Sequence, residues 1–146
     1  MGQRDQQDWA RQRQRAIAAH AADQQRRRAG EAQQAADLLA DFVATARRHG
    51  IAAQHLSAQP HHGRGRYRTG LHGWYLKSDR TLAVGTDGNL YLLTVPASLR
   101  SRLTGARVSP TEPRLVIGAG GRDGESIPLA TLLDRRLAAA GPGQSG

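Results

Sequence analysis

Cysteine is absent, lysine occurs only as Lys77, and the aromatic side chains are two Trp, three Tyr and one Phe. Without cysteine the chain has no disulfide, no thiolate nucleophile and no cysteine-based zinc site. No stretch approaches the roughly 18 consecutive apolar residues of a membrane-spanning helix. The opening Met1-Gly2-Gln3-Arg4-Asp5 lacks the apolar region of a secretory leader. These absences together predict a cytoplasmic protein. Catalytic signatures are missing too. There is no Gly-x-Ser-x-Gly elbow and no His-Glu-x-x-His pair, and half of the acids lie before residue 50. A hydrolase or nuclease is therefore the least supported function class.

What the chain does have is positive charge, a formal +9 over 146 residues. It is unevenly placed. Residues 51–110 hold seven Arg and Lys77 against Asp79 and Asp87, whereas residues 111–146 balance four cations with four acids. A basic surface steers anionic partners towards it. The preference for Arg over Lys, alongside abundant Ala, also matches the codon bias of a GC-rich bacterial genome. The position of the charge is therefore more informative than its arginine identity.

The length allows one domain of ordinary size. Residues 1–34 are rich in Gln, Arg and Ala, with Trp9 and Ile17 as the only large apolar groups besides Met1. Such a segment has helix propensity but little to bury. It reads as a solvated helical or disordered arm, interrupted near Gly30. Within it Arg26-Arg27-Arg28 reads as a solvated face. Ala35–His49 differs, because Leu38, Leu39, Phe42, Val43 and Ala46 form one apolar stripe, and Gly50 and Ile51 suit a helix stop. Residues 35–139 are read as a single α+β domain and 140–146 as a flexible tail.

Ala52–Thr69 lacks periodicity and reads as a long loop. From Leu71 a strand pattern begins. Asp87-Gly88 signals a two-residue type I′ hairpin pairing Val84 with Tyr91 and Leu82 with Leu93. That register places Leu82, Val84, Tyr91, Leu93 and Val95 on one face. For the turn at Ser78-Asp79-Arg80, an inward Trp74 is favoured over a register that would bury Lys77. Pro96–Leu103 suits a short helix with Leu99 and Leu103 inward and Gly105 at its stop. Leu115–Gly118 suits a fourth, edge strand. Ser126 is placed to cap a last helix over Ile127–Ala139. The expected fold is α+β: a three- to four-stranded antiparallel sheet packed with two helices. In its order of helix, three strands and helix it resembles, in topology alone, the double-stranded RNA-binding domain. It departs from that family in the long Gly50–Leu71 connection and in lacking a lysine cluster on the last helix, where Arg135-Arg136 is a thin substitute.

The chemistry-bearing stretch is the junction of loop and sheet. Arg64, Arg66, Arg68, Lys77 and Arg80 can follow a phosphate backbone, and Tyr67 and Tyr75 offer rings on which bases stack. This predicts non-catalytic binding of nucleic acid or another polyanion, with no cofactor. The alternative is a protein-interaction or assembly module that uses the N-terminal arm on a partner or a second copy. His55, His61, His62 and His72 are close in sequence, but they lack the ordered spacing of a zinc site. The glycine loop Gly118–Ser126 matches neither the Rossmann nor the Walker pattern, and Asp123 and Glu125 within it oppose an anion.

Overall fold

A computed structural model describes residues 2–118 and 125–140. The first element, α1 (Gln3–Arg48), is a single helix of 46 residues, about 69 Å long at 1.5 Å per residue. It passes through Gly30 without a break. One interior glycine costs only about 1 kcal/mol, and the surrounding Ala, Arg and Gln favour helix. Its buried residues are Ala35, Leu39, Phe42, Val43 and Ala46, which recur at helical spacing on one face. The end forms as the sequence predicts. Gly50 N–H donates to the Arg47 carbonyl at 3.2 Å and Ile51 N–H to the Ala46 carbonyl at 2.9 Å, the two bonds of a Schellman stop. Ile51 then packs on the core.

The segment expected to be a loop instead supplies a strand, β1 (Gln54–Pro60), and the start of β2 (Tyr67–Tyr75). β3 (Leu82–Gly85), β4 (Leu90–Leu92) and β5 (Thr94–Val95) follow. The sheet has five strands in the order β4-β3-β2-β1-β5. It is mixed, because β1 and β5 run parallel while the other pairs are antiparallel. This corrects the expected antiparallel sheet of three or four strands, and with it the topological likeness to the RNA-binding domain. The two edges, β4 and β5, are separated only by Leu93. Leu93 donates its N–H to the Thr81 carbonyl at 2.8 Å and accepts from Gln59 N–H at 2.7 Å. One stretch, Leu90–Val95, therefore bonds β3 with its first half and β1 with its second, and the sheet rolls into a small barrel. Rolling removes the open edges that a flat sheet would expose.

The barrel has an apolar interior and an apolar flank. Leu56, Ala83, Tyr91 and Leu93 pack together on one side of the sheet, with Ala58, Tyr67 and Ala106 in an adjoining cluster. Trp74, Leu76, Leu82, Val84 and Leu90 form the other side and meet Phe42 and Leu39 of α1. Phe42 lies edge-on to Trp74 with ring centroids 5.8 Å apart, and the indole N–H donates to the Ile51 carbonyl at 3.0 Å. The inward Trp74 agrees with the sequence reading. The hairpin register does not. Leu82 faces Leu92, Ala83 faces Tyr91 and Val84 faces Leu90, one residue off the expected pairing, so Tyr91 and Leu93 lie on the face opposite Leu82 and Val84. Only Gly88 of the turn has positive φ, at 81°, whereas a type I′ turn would also need it at Asp87. The turn is instead three residues long, Thr86 to Gly88, with Gly88 N–H bonded to the Gly85 carbonyl at 2.9 Å. The same dipeptide serves either turn, and the three-residue form won because it puts Ala83 opposite Tyr91 inside the barrel.

α2 (Leu99–Thr104) stops at Gly105 as expected, but Leu99 and Leu103 face outward rather than into the core. β6 (Val116–Ile117) is not a fourth strand of the main sheet. It pairs with β7 (Ile127–Pro128) in a separate two-stranded sheet. α3 (Leu129–Ala139) begins after Pro128, two residues later than a Ser126 cap implies, and buries Leu129, Leu132 and Leu133 against α1 and the outer sheet face. Among the described residues no helix is long and apolar enough to cross a membrane.

Candidate nucleic-acid interface

β1 and β2 are joined by the connection His61–Arg66, which leaves Arg64 and Arg66 exposed. Their register shifts between His55 and Ser57, where Thr69-Gly70-Leu71 stand opposite the single residue Leu56. This bulge sharpens the bend of β2, and the Thr69 hydroxyl ties it to the Leu56 carbonyl at 2.5 Å. Next to it, Ser57 N–H donates to the Tyr75 hydroxyl oxygen at 2.9 Å, and Arg66 Nε donates to Ser57 Oγ at 2.6 Å. Burial alone would raise the Tyr75 phenol, but the Ser57 hydrogen bonds and the Arg66 charge outweigh it and lower the pKa. Arg66 and Tyr75 thus belong to one network.

Arg80 adds to it from the β2–β3 turn. It is the only non-glycine residue with positive φ, at 61°, among the described residues, a conformation uncommon for a long side chain. The turn is closed by Arg80 N–H on the Lys77 carbonyl and by the Asp79 carboxylate, which accepts the Thr81 N–H and hydroxyl. Burial opposes ionisation of Asp79, yet the Thr81 bonds and the Lys77 charge hold its pKa below the usual carboxylate value. In this conformation the Arg80 guanidinium stands 5.6 Å from the Tyr75 ring centroid, within cation–π range.

Tyr75, Lys77 and Arg80 then line one cleft together with Gln54, Arg135 and Arg136. Four cations face this cleft, and no carboxylate lines it. Arg135 and Arg136, only a weak signal in the sequence, are placed by the register of α3. They follow Leu132 by three and four residues, so they border its buried face.

The remaining predicted residues lie elsewhere. Arg64 is at the hairpin end, away from the cleft lining. Arg68 lines a different concavity with Arg100 and Arg107. Tyr67 is only 3% exposed, packed with Ala58 and Ala106, so its ring faces are unavailable to a base. Its hydroxyl accepts Ser98 N–H at 3.2 Å and so fixes the chain entering α2. The alternation Arg66-Tyr67-Arg68 signals a strand with its ring inward. Reading the segment as a loop concealed that period of two.

His55 and His72 are cross-strand neighbours with ring centroids 4.2 Å apart. Among the described residues no three His, Asp or Glu side chains converge as metal ligands. The glycine loop falls mainly on 119–124, outside the described residues. Asp87 is a turn residue, accepting from Asn89 and the Tyr91 hydroxyl. In comparison with known proteins, the chain matches no family model, no curated protein and no solved structure.

Proposed function

We propose that this chain is a small, non-catalytic binder of nucleic acid that holds the phosphate backbone in the Tyr75–Arg80–Arg136 cleft. The observation that carries this reading is the gathering of Lys77, Arg80, Arg135 and Arg136 from two distant parts of the sequence around Tyr75, without a carboxylate in the lining. Arginine takes phosphate oxygens in a fixed two-pronged geometry, and the Arg80–Tyr75 pair presents a flat surface on which an unpaired base stacks. Arg66 and Arg64 extend the charge beyond the cleft along the β1–β2 hairpin. Each phosphate neutralised releases counterions, so affinity falls steeply with salt.

The test is filter binding of duplex and single-stranded oligonucleotides over a range of salt concentrations. Replacing Arg80, Arg135 and Arg136 together with Ala should lower affinity across sequences and reduce the slope of log affinity against log salt by roughly 2 to 3. Parental affinity and slope in that variant would refute the reading.

One observation favours a second reading, an assembly module. Trp9 and Ile17 are 66% and 63% exposed on a helix that has no buried residue before Ala35. A solution mass that rises with concentration, and ceases to do so in Trp9→Ala/Ile17→Ala, is the outcome that reading requires.

A further inference from the structure

The concavity around Arg68, Arg100 and Arg107 is built independently of the cleft just described. Its position is set by one side-chain and two backbone features. Tyr67, buried in the barrel, holds Ser98. Ala106 N–H donates to the Arg68 carbonyl at 2.7 Å, laying the segment after α2 against the first half of β2. Gly105, at φ 88°, permits that approach, since a Cβ there would stand 2.7 Å from the Arg68 carbonyl oxygen. With Leu99 and Leu103 exposed, α2 is held by these hydrogen bonds and not by apolar burial. The result is a hollow of about 950 Å³ lined by the three arginines and by Ser98, Ser101 and Thr104. No carboxylate lines it. Among the described residues the only ion pair is Arg26 with Asp23, so the three guanidinium groups have no acid partner.

We propose that this hollow is a second binding site, for an oligophosphate chain. Three guanidinium groups present paired donors to as many as six oxygens. A lone phosphate monoester offers three terminal oxygens and at most two negative charges, fewer than the three arginines match. A di- or triphosphate chain supplies both the oxygens and the charge. The hydroxyls of Ser98 and Ser101 add donors to the wall, so that it binds by donor geometry as well as by charge. The Thr104 hydroxyl instead donates to the Arg100 carbonyl at 2.8 Å and braces α2. Such a chain occurs in inorganic polyphosphate, in nucleoside triphosphates and at the 5′ end of a primary transcript. The two basic sites flank opposite ends of β2: Arg68 and Tyr75 are separated along it by at most roughly 23 Å of strand.

The experiment measures binding of sodium tripolyphosphate by calorimetry in the full chain, at ionic strength matched with sodium chloride. Saturable binding is expected in the parent and in Arg80→Ala/Arg135→Ala/Arg136→Ala. In Arg100→Ala/Arg107→Ala it should weaken about tenfold or more. Both arginines are exposed and form no side-chain hydrogen bond among the described residues, so that variant should fold, which circular dichroism checks. ATP and a 5′-triphosphorylated oligonucleotide, run as parallel arms, distinguish the sources by which binds tightest. No saturable binding in the parent, unchanged binding in Arg100→Ala/Arg107→Ala, or loss in the Arg80/Arg135/Arg136 variant would each overturn the proposal. The last two leave the nucleic-acid reading intact, because that reading rests on the other cleft.

Discussion

α1 divides into two regions of similar local propensity and opposite surroundings. From Ala35 onward its apolar side chains lock into the core beside Trp74 and Leu129. Before Ala35 it carries the same Ala, Arg and Gln background, but Trp9 and Ile17 are exposed and no side chain is buried. The last tie to the domain is Glu31, whose carboxylate accepts the Leu115 N–H at 3.2 Å. Helix propensity acts along the whole element, whereas tertiary stabilisation acts on its last third alone. Since isolated helices are marginal in water, the two regions differ in what removing a side chain costs.

The largest expected effect is at the junction of helix and sheet. Phe42 is buried edge-on against Trp74, so Phe42→Ala removes a ring the neighbours cannot fully replace. Urea unfolding should show a loss of about 3–5 kcal/mol. A loss below about 1 kcal/mol would erase the contrast between the two parts of α1, because a fully buried ring cannot be removed so cheaply.

A smaller effect separates the domain from the arm by pH. Burial works against ionisation of Asp87, but hydrogen bonds from the Tyr91 hydroxyl and from Asn89 outweigh it and lower its pKa. Asp79 is lowered in the same direction. The folded values lie below the unfolded ones, so the unfolded chain binds more protons and stability is lost as pH falls. The loss begins near the ordinary carboxylate value of about 4 and is complete once pH passes below the folded values. Asp87→Asn should flatten this acid dependence in thermal unfolding while leaving the helicity of the arm unaltered. An equally steep acid loss in that variant would mean that other carboxylates govern it.

How far the fold was legible depends on how many large apolar residues mark each element. The stripe from Leu38 to Ala46 identified the packed part of α1, and the cost of burying Lys77 was enough to turn Trp74 inward. β1 was missed because its inward positions are Leu56, Ala58 and Pro60, only one of them a large aliphatic side chain. The rolling of the sheet turns on Leu93, whose two backbone bonds to distant segments leave no trace in local periodicity. In the candidate cleft, Tyr75, Lys77 and Arg80 stand together because they are neighbours on one hairpin, a proximity the sequence already shows. Their pairing with Arg135 and Arg136 depends on how α3 packs, and Arg68 left the group because it lies on the first half of β2. Charge position was readable; which charges face each other required the fold.

The smallest expected effect sharpens the comparison most. Trp9→Ala/Ile17→Ala alters two of the largest side chains in the first part of α1, yet both are mainly in water. Unfolding of dilute protein should therefore change by no more than about 0.5 kcal/mol, as for ordinary surface substitutions. The change should not depend on the pH window set by Asp79 and Asp87, which belong to the barrel. Protein concentration is the informative variable. If a second copy covers Trp9 and Ile17, the parent's unfolding midpoint rises with concentration by mass action and the variant's does not. A variant destabilised by 2 kcal/mol or more even when dilute would show that these side chains join the monomer core, and the division of α1 into a packed and an unpacked region would fail.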